Sequence, residues 1–280
     1  MIDTISYNDS MAALLNEAVA GADSYTRDDI FSLVKDSPGN AALAFCDGKP
    51  AAIAAHTARR GDKRGSFTLF VTPKERGKGV GRALAARVLD EMRGLGIQTV
   101  YTDFEPDARG LRLCFAKRLG MRPAFRSCLM QYTGGMMECG QMVEPYSDDM
   151  YEQFHCVLSN AFHDLRKSLG LEPYVVPQSE MERVRMKDNA RDYYVIKQNG
   201  RIIGVGCANG GMLDDIAVDN NFRGRGIGRA LAAYGVNQSI NNGFDGVLLW
   251  VVETNREARG LYESMGFTIK RVHQFCTAEL

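Results

Sequence analysis

The chain has 280 residues, 45% of them hydrophobic and 24% charged, a composition ordinary for a soluble globular protein and a length that favours two domains with separate cores. Lys plus Arg and Asp plus Glu each total 34, so net charge gives no reason to expect a nucleic-acid or anionic-membrane partner. Seven scattered cysteines with no C-x-x-C pair read as reduced thiols of a cytoplasmic protein, and no His/Cys/Asp/Glu cluster has metal spacing. The N-terminus lacks a basic region followed by an apolar one, and no apolar run reaches about 18 residues, so neither secretion nor a membrane span is expected.

Hydrophobic spacing gives the elements in order. Residues 11–20 and, more weakly, 27–35 are apolar at helical spacing. Residues 41–46 and 51–57 flank Asp47-Gly48-Lys49-Pro50, a hairpin signal, and 66–71 form a short strand. Residues 82–92 are an amphipathic helix stopped by Gly94 and Gly96. A β-branched and aromatic strand at 99–104, a helix at 108–119 and an alternating strand at 125–132 follow. The second half replays this order. It has a helix at 149–158, two strands around Asn199-Gly200, a strand at 213–218 and a helix at 229–240. A buried strand at 246–252, a helix at 258–265 and a strand at 268–277 close it. Residues 133–140 are glycine-rich and patternless, which sets the expected domains at 1–135 and 136–280. To residue 139 there are 19 basic and 16 acidic residues, and beyond it 15 and 18, so the second half is slightly suited to a cationic substrate.

One phrase occurs twice. RGKGVGRALAA begins at Arg76 and RGRGIGRALAA at Arg223, identical at nine of eleven positions and 147 residues apart. Each copy follows a strand-like run and opens a helix-like run. Glycines at such a turn leave backbone N–H groups bare, and these can hold a phosphate. Neither copy is a Walker loop, G-x-x-x-x-G-K-[ST], and neither completes the dinucleotide fingerprint: counted from Gly224 the last glycine position is Arg229, and from Gly226 it is Leu231.

The spacing present is R-x-x-G-x-G, through Arg76, Gly79 and Gly81 and through Arg223, Gly226 and Gly228. This resembles the acetyl-CoA signature of the GNAT superfamily of N-acetyltransferases. The strand DDIAVDNNF, the glycine turn and the later NREARGLYESMGF arrive in that family's order, and the resemblance covers residues 193–267 and 41–121. It implies an α/β protein of two tandem GNAT-like domains, each a mixed, mostly antiparallel central sheet flanked by helices. It also implies acetyl-CoA as cofactor and an amine, on a small molecule or a protein, as acceptor. The layout resembles tandem members whose second half is active, without implying a substrate.

Carried over residue by residue, the resemblance places the pyrophosphate on Arg223, Gly224, Arg225, Gly226, Ile227, Gly228 and Arg229. In the first half the matching residues are Arg76, Gly77, Lys78, Gly79, Val80, Gly81 and Arg82. The cofactor arm would run along Ile216, Ala217 and Val218, or Phe70 and Val71, with Asn255 a further contact. A bulge commonly opens this strand in the family, and the sequence does not show one. Tyr262 matches the family's general acid, since a phenol with pKa near 10 is protonated at neutral pH. Its counterpart is Ala116. Asp214 and Asp215 are candidate bases, Asp214 slightly preferred because it shares a face with Ile216 and Val218, and Glu253 is a third. Their counterparts Phe67 and Thr68 offer neither acid nor base, so chemistry is expected in the second half. His155 and His163 on helical segments read as structural. A non-catalytic acyl-CoA-binding module is the rival reading. The acceptor-side segment, residues 161–185, names no substrate.

Overall fold

The Asp-Gly and Asn-Gly dipeptides turn as their chemistry asks. Asp47 and Gly48 have φ of 51° and 76°, Asn199 and Gly200 51° and 75°, the left-handed pair of a tight two-residue hairpin. The computed structural model describes residues 2–36, 38–59 and 63–280. Its chain divides into two compact units, one running to Ala124 and including Gln274–Leu280, the other Phe125–His273.

The first unit contains β1 (Ile2–Ser6), α1 (Ala12–Ala18), α2 (Ser24–Asp36), β2 (Ala41–Cys46), β3 (Lys49–Arg59), β4 (Arg64–Val71), α3 (Val80–Gly94), β5 (Thr99–Phe104) and α4 (Leu111–Arg118). Its strands stand in sequence order, antiparallel except for β4 beside β5. Alternation along β2 and β3 sends side chains to two faces. Leu43, Ile53 and Ala55 pack with Leu15, Ile30 and Val34 of α1 and α2. Ala42, Ala52 and Ala54 pack with Val80, Leu84 and Val88 of α3 and with Ala116 of α4. The sheet is therefore sandwiched between two helix pairs.

The second unit repeats the plan. After β6 (Arg122–Tyr132) come β7 (Glu144–Pro145), α5 (Tyr151–Ser168), α6 (Glu180–Asp188), β8 (Tyr193–Gln198), β9 (Arg201–Asn209), β10 (Met212–Val218), α7 (Ile227–Asn241), β11 (Val247–Val252), α8 (Arg256–Ser264) and β12 (Thr268–Glu279). Phe154 and Val157 of α5 pack on Val195, Ile202 and Val205, while Leu231 and Val236 of α7 pack on Leu213 and Leu249 across the sheet. This is the mixed, mostly antiparallel α/β architecture expected, in two copies.

Several features depart from the sequence reading, β1 among them. The expected division at 135/136 separates strands from their sheets. Residues 127–132 of β6 pair with β11 inside the second unit. Gln274–Glu279, at the end of β12, pair with β5 and belong to the first. Each unit takes its closing strand from the other half of the sequence. Local alternation identifies a strand but not its partner, which the ladder chooses at long range. A further departure is α6, absent from the sequence reading: residues 180–188 are too polar to show a helical stripe.

Candidate acyl-transfer site

The site of the second unit begins where two strands part. β10 and β11 pair in parallel only at Met212–Leu248 and Leu213–Leu249. On its other edge β10 follows β9 as far as Asp214–Cys207, then resumes at Ala217–Val205 with one residue in excess. That excess is a β-bulge, the feature the resemblance implies and the sequence does not show. Its residue Asp215 has φ of 54°, in the left-handed region, and its N–H is held by the Asp214 carboxylate at 2.9 Å. Beyond the bulge Ala217 is buried and Ile216 and Val218 are half-buried.

The two aspartates stand in different surroundings. Asp214 is exposed, whereas Asp215 is half-buried. Burial, with the neighbouring charges of Asp214 and Glu182, pushes the Asp215 carboxyl up to about 7, against the opposing pull of Arg185. Glu182 and Arg185 lie on α6, so the helix missing from the sequence reading adds, after Asp214, to the charge around Asp215. Only a stripe-free charged segment marked it in the sequence. Glu253 lies 3.5 Å from Arg126.

Tyr262 is buried on α8, its ring 5.8 Å from that of Phe267. Burial and then the Asp214 charge push its phenol up to about 12, so the hydroxyl keeps its proton throughout the neutral range. The dependence on Asp214 puts acid and aspartate pair in one electrostatic neighbourhood. The Asn255 side-chain oxygen accepts the Ala258 N–H at 3.3 Å and so caps α8, a structural duty.

The glycine turn has the geometry its sequence implies. Gly224 and Gly226 have φ of 74° and 79°, where a side chain would be strained, and no side chain caps the start of α7. Its first N–H groups therefore lack a side-chain cap and stand at the positive end of the helix dipole. Arg223 donates to the Ala161 carbonyl (3.0 Å), Arg225 lies over the Phe222 ring (5.0 Å) and Arg229 donates to Ser264 Oγ (2.6 Å). An uncapped helix start of this kind can accept an anion, and an unpaired strand edge can accept an extended chain.

The first unit has the same turn, with Gly77 and Gly79 at φ of 80° and 87° and α3 uncapped. Its strands part too, β4 and β5 pairing only from Arg64–Thr99 to Ser66–Tyr101. β4 has no bulge, pairing with β3 in one unbroken register from Arg64 to Val71. A cavity of about 600 Å³ lies in the split, lined by Leu69, Phe70 and Val71 of β4, by Arg76 and the glycines of the turn, and by residues of α4. Arg82 also lines it, and Arg76 Nε donates to the Val71 carbonyl at 3.1 Å. The expected helix 108–119 starts only at Leu111. The Asp107 carboxylate accepts the N–H groups of Arg109, Leu111 and Arg112, winding residues 108–110 into a turn instead. On the sheet's other face Thr68 Oγ1 donates to the Asp29 carboxylate of α2, a pairing across 39 residues that no local signal marks.

His155 is buried, 3.9 Å from Glu182, and His163 bonds Asp164 (2.9 Å) at a second, polar cavity of about 520 Å³. All seven cysteines are free. Among the described residues no cluster can hold a metal ion, and no helix is long and apolar enough to cross a membrane.

A model of the acetyltransferase (GNAT) family matches residues 8–121 and 159–267. An N-acetylaspartate synthetase of Xenopus tropicalis is 30% identical over 95 residues, 32% of this chain and 35% of that protein. A mycothiol acetyltransferase of Thermomonospora curvata is 35% identical over 80 residues, 27% of each chain. The chain thus spans about a third or less of these relatives' lengths. A mycothiol acetyltransferase of Clavibacter michiganensis is matched more fully, 26% identical over 83% of this chain and 78% of its own. Among solved structures, a GCN5-related N-acetyltransferase from Sphaerobacter thermophilus has a TM-score of 0.79 at 20% identity, over 99% of this chain and 95% of that one. A tandem GNAT protein from the clavulanic acid biosynthesis pathway has 0.65 at 14%, over 100% and 98%. At these identities the structures show the fold.

Proposed function

The chain belongs to the acetyltransferase (GNAT) family, and from that premise we propose that it is an N-acetyltransferase using acetyl-CoA, with direct attack by an amine in a ternary complex and chemistry in the second half. One observation carries the placement. The second unit has a bulge aspartate raised to about 7 and a buried, protonated Tyr262, where the first has Thr68 and Ala116.

Bound acetyl-CoA would supply an activated acetyl thioester. The N–H groups opening α7 at Gly226, Ile227 and Gly228, with Arg223, Arg225 and Arg229, would hold its pyrophosphate. The unladdered edge of Ile216, Ala217 and Val218 would hold its arm and offer a backbone N–H to the developing oxyanion. Asp215 takes a proton from the amine, directly or through water. A base with pKa near the working pH combines a fair deprotonated fraction with real driving force. The neighbouring Asp214 charge helps raise the Asp215 pKa. Tyr262 holds a proton for the departing sulfur. Its raised pKa guarantees the donor form and makes the donor weaker than an ordinary phenol. In the first half the turn from Arg76 to Arg82, Lys78 and Val80 included, would hold the same cofactor without turnover.

The acceptor is an amine of a small molecule or a protein. Screening amines with acetyl-CoA while reading free thiol tests the proposal. An accepted amine should lose about 10²–10⁴-fold in turnover on Tyr262→Phe with coenzyme A affinity nearly intact. Wild-type turnover in that variant, with chemistry rate-limiting, would remove Tyr262 from the mechanism. No thiol release with any amine would favour a binding module.

A further inference from the structure

We propose that the first unit binds acyl-CoA with an acyl chain longer than acetyl, and holds it without transfer. The inference rests on the reading that the glycine turns take coenzyme A, and it deepens that reading by naming the ligand class of the first slot.

The two slots differ most where a thioester would lie. Asp214 of β10 has Phe67 as its counterpart on β4, and Tyr262 of α8 has Ala116 on α4. Both replacements are buried and belong to one apolar cluster. Replacing a phenol by a methyl removes a whole ring from the slot wall. The cavity of about 600 Å³ reaches that wall: Phe67, Phe104, Leu111, Phe115 and Ala116 all line it. It also reaches the opposite face of the sheet at Thr26 of α2. The slot therefore continues past the arm in mostly apolar surroundings, with Thr68, Thr102 and Asp103 the polar residues of that part of the wall.

An amine finds neither a bulge aspartate nor a tyrosine there. The one hydroxyl at the bulge-equivalent position, Thr68, is committed to Asp29. Unbroken β3–β4 pairing leaves no bulge to turn a carboxylate inward. Of the carboxylates that line the cavity, Glu75 is paired with Lys78 and Asp107 accepts three backbone N–H groups, while Asp103 lies on β5 beside Phe104; against the apolar residues that line the rest, a hydrocarbon chain gains by leaving water. The polar end suits the same ligand. Arg76, Arg82 and the helix start can take a pyrophosphate, and Leu111, exposed at the rim, adds apolar surface.

The test is calorimetry on the full chain carrying Gly228→Ala, which weakens the second slot and leaves the first untouched. Coenzyme A, acetyl-CoA, butyryl-CoA and hexanoyl-CoA are titrated in turn. A fully buried methylene is worth up to about fourfold in affinity, so butyryl-CoA should bind roughly tenfold tighter than acetyl-CoA, and hexanoyl-CoA tighter still. Ala116→Leu should flatten the series while coenzyme A still binds. The chain-length series needs no change in the first unit, so it decides the matter even where Ala116→Leu misfolds. Equal affinity across the series with coenzyme A bound overturns this inference alone. No binding of any of the four to the unmodified chain overturns the glycine-turn reading as well.

Discussion

Gly228→Ala separates the fold's need for this glycine from a ligand's need. Gly228 lies in the first turn of α7 with ordinary helical φ, unlike Gly226, where substitution would add backbone strain. A methyl there would stand 3.4 Å from Leu261 Cδ2 and 3.7 Å from Val218 Cγ2, ordinary contact distances. The fold should accept it. Ala exceeds Gly by up to about 1 kcal/mol in helix propensity, less in a first turn, so stability should hold or rise, with Tm moving up by at most roughly 2–4 °C. The same methyl projects between β10 and α8, where an arm leaving the turn must pass. Displacing one charge-assisted hydrogen bond to the pyrophosphate costs about 1.5–3 kcal/mol, so coenzyme A affinity of the second slot should fall roughly 10- to 100-fold. Thermal unfolding and calorimetry on the same sample read both quantities. Unchanged affinity in a variant of wild-type Tm would refute the slot, and a Tm lowered by many degrees would refute the packing reasoning.

Three further outcomes are expected. Asp215→Asn should abolish the rise of kcat/KM with pH near 7, because only the deprotonated carboxylate accepts the amine proton; an unchanged profile removes Asp215 as base. Buried His56 has its pKa lowered from 6.5, chiefly by desolvation, so the unfolded chain binds a proton that the folded chain refuses. Stability of the first unit should therefore fall as pH drops below 6.5, and His56→Leu should remove that dependence in pH-resolved unfolding curves. Deleting residues 274–280 removes six residue pairs with β5, the bond from Thr277 Oγ1 to the Val100 carbonyl and the fully buried Cys276. At about 1 kcal/mol per hydrogen bond that approaches a domain's whole stability, so hydrogen exchange should find the first unit unfolded; native protection there would refute the strand assignment.

Much of this was legible because the signals were local. The twin glycine phrases, the Asn-Gly hairpin and the alternating strands each act through their own residues or immediate neighbours. What was hidden depended on distant partners. The exchange of closing strands is invisible in the composition of residues 125–132 or 274–280, and the Asp29–Thr68 bond joins residues 39 apart. Ala-Arg-Gly-Leu occurs in both halves, yet it is helical at 258–261 and a turn at 108–110, because Asp107 captures the amides that would have continued the helix.

The bulge shows how backbone and chemistry meet in one residue. One extra residue on β10 puts Asp215 at φ of 54°. Aspartate tolerates that region because its short polar side chain bonds locally, whereas β-branched Thr68 would pay heavily for it. The side chain able to occupy the bulge is thus also the one able to accept a proton there. In β4 neither condition holds, and the strand runs straight. The two halves keep one glycine turn and differ by a backbone conformation that the residue at a single strand position permits or forbids. On that ground Asp215→Asn should preserve the bulge while removing the base. Asp215→Thr should disturb both, lowering stability along with activity, and a Thr variant as stable as wild type would break the link between them.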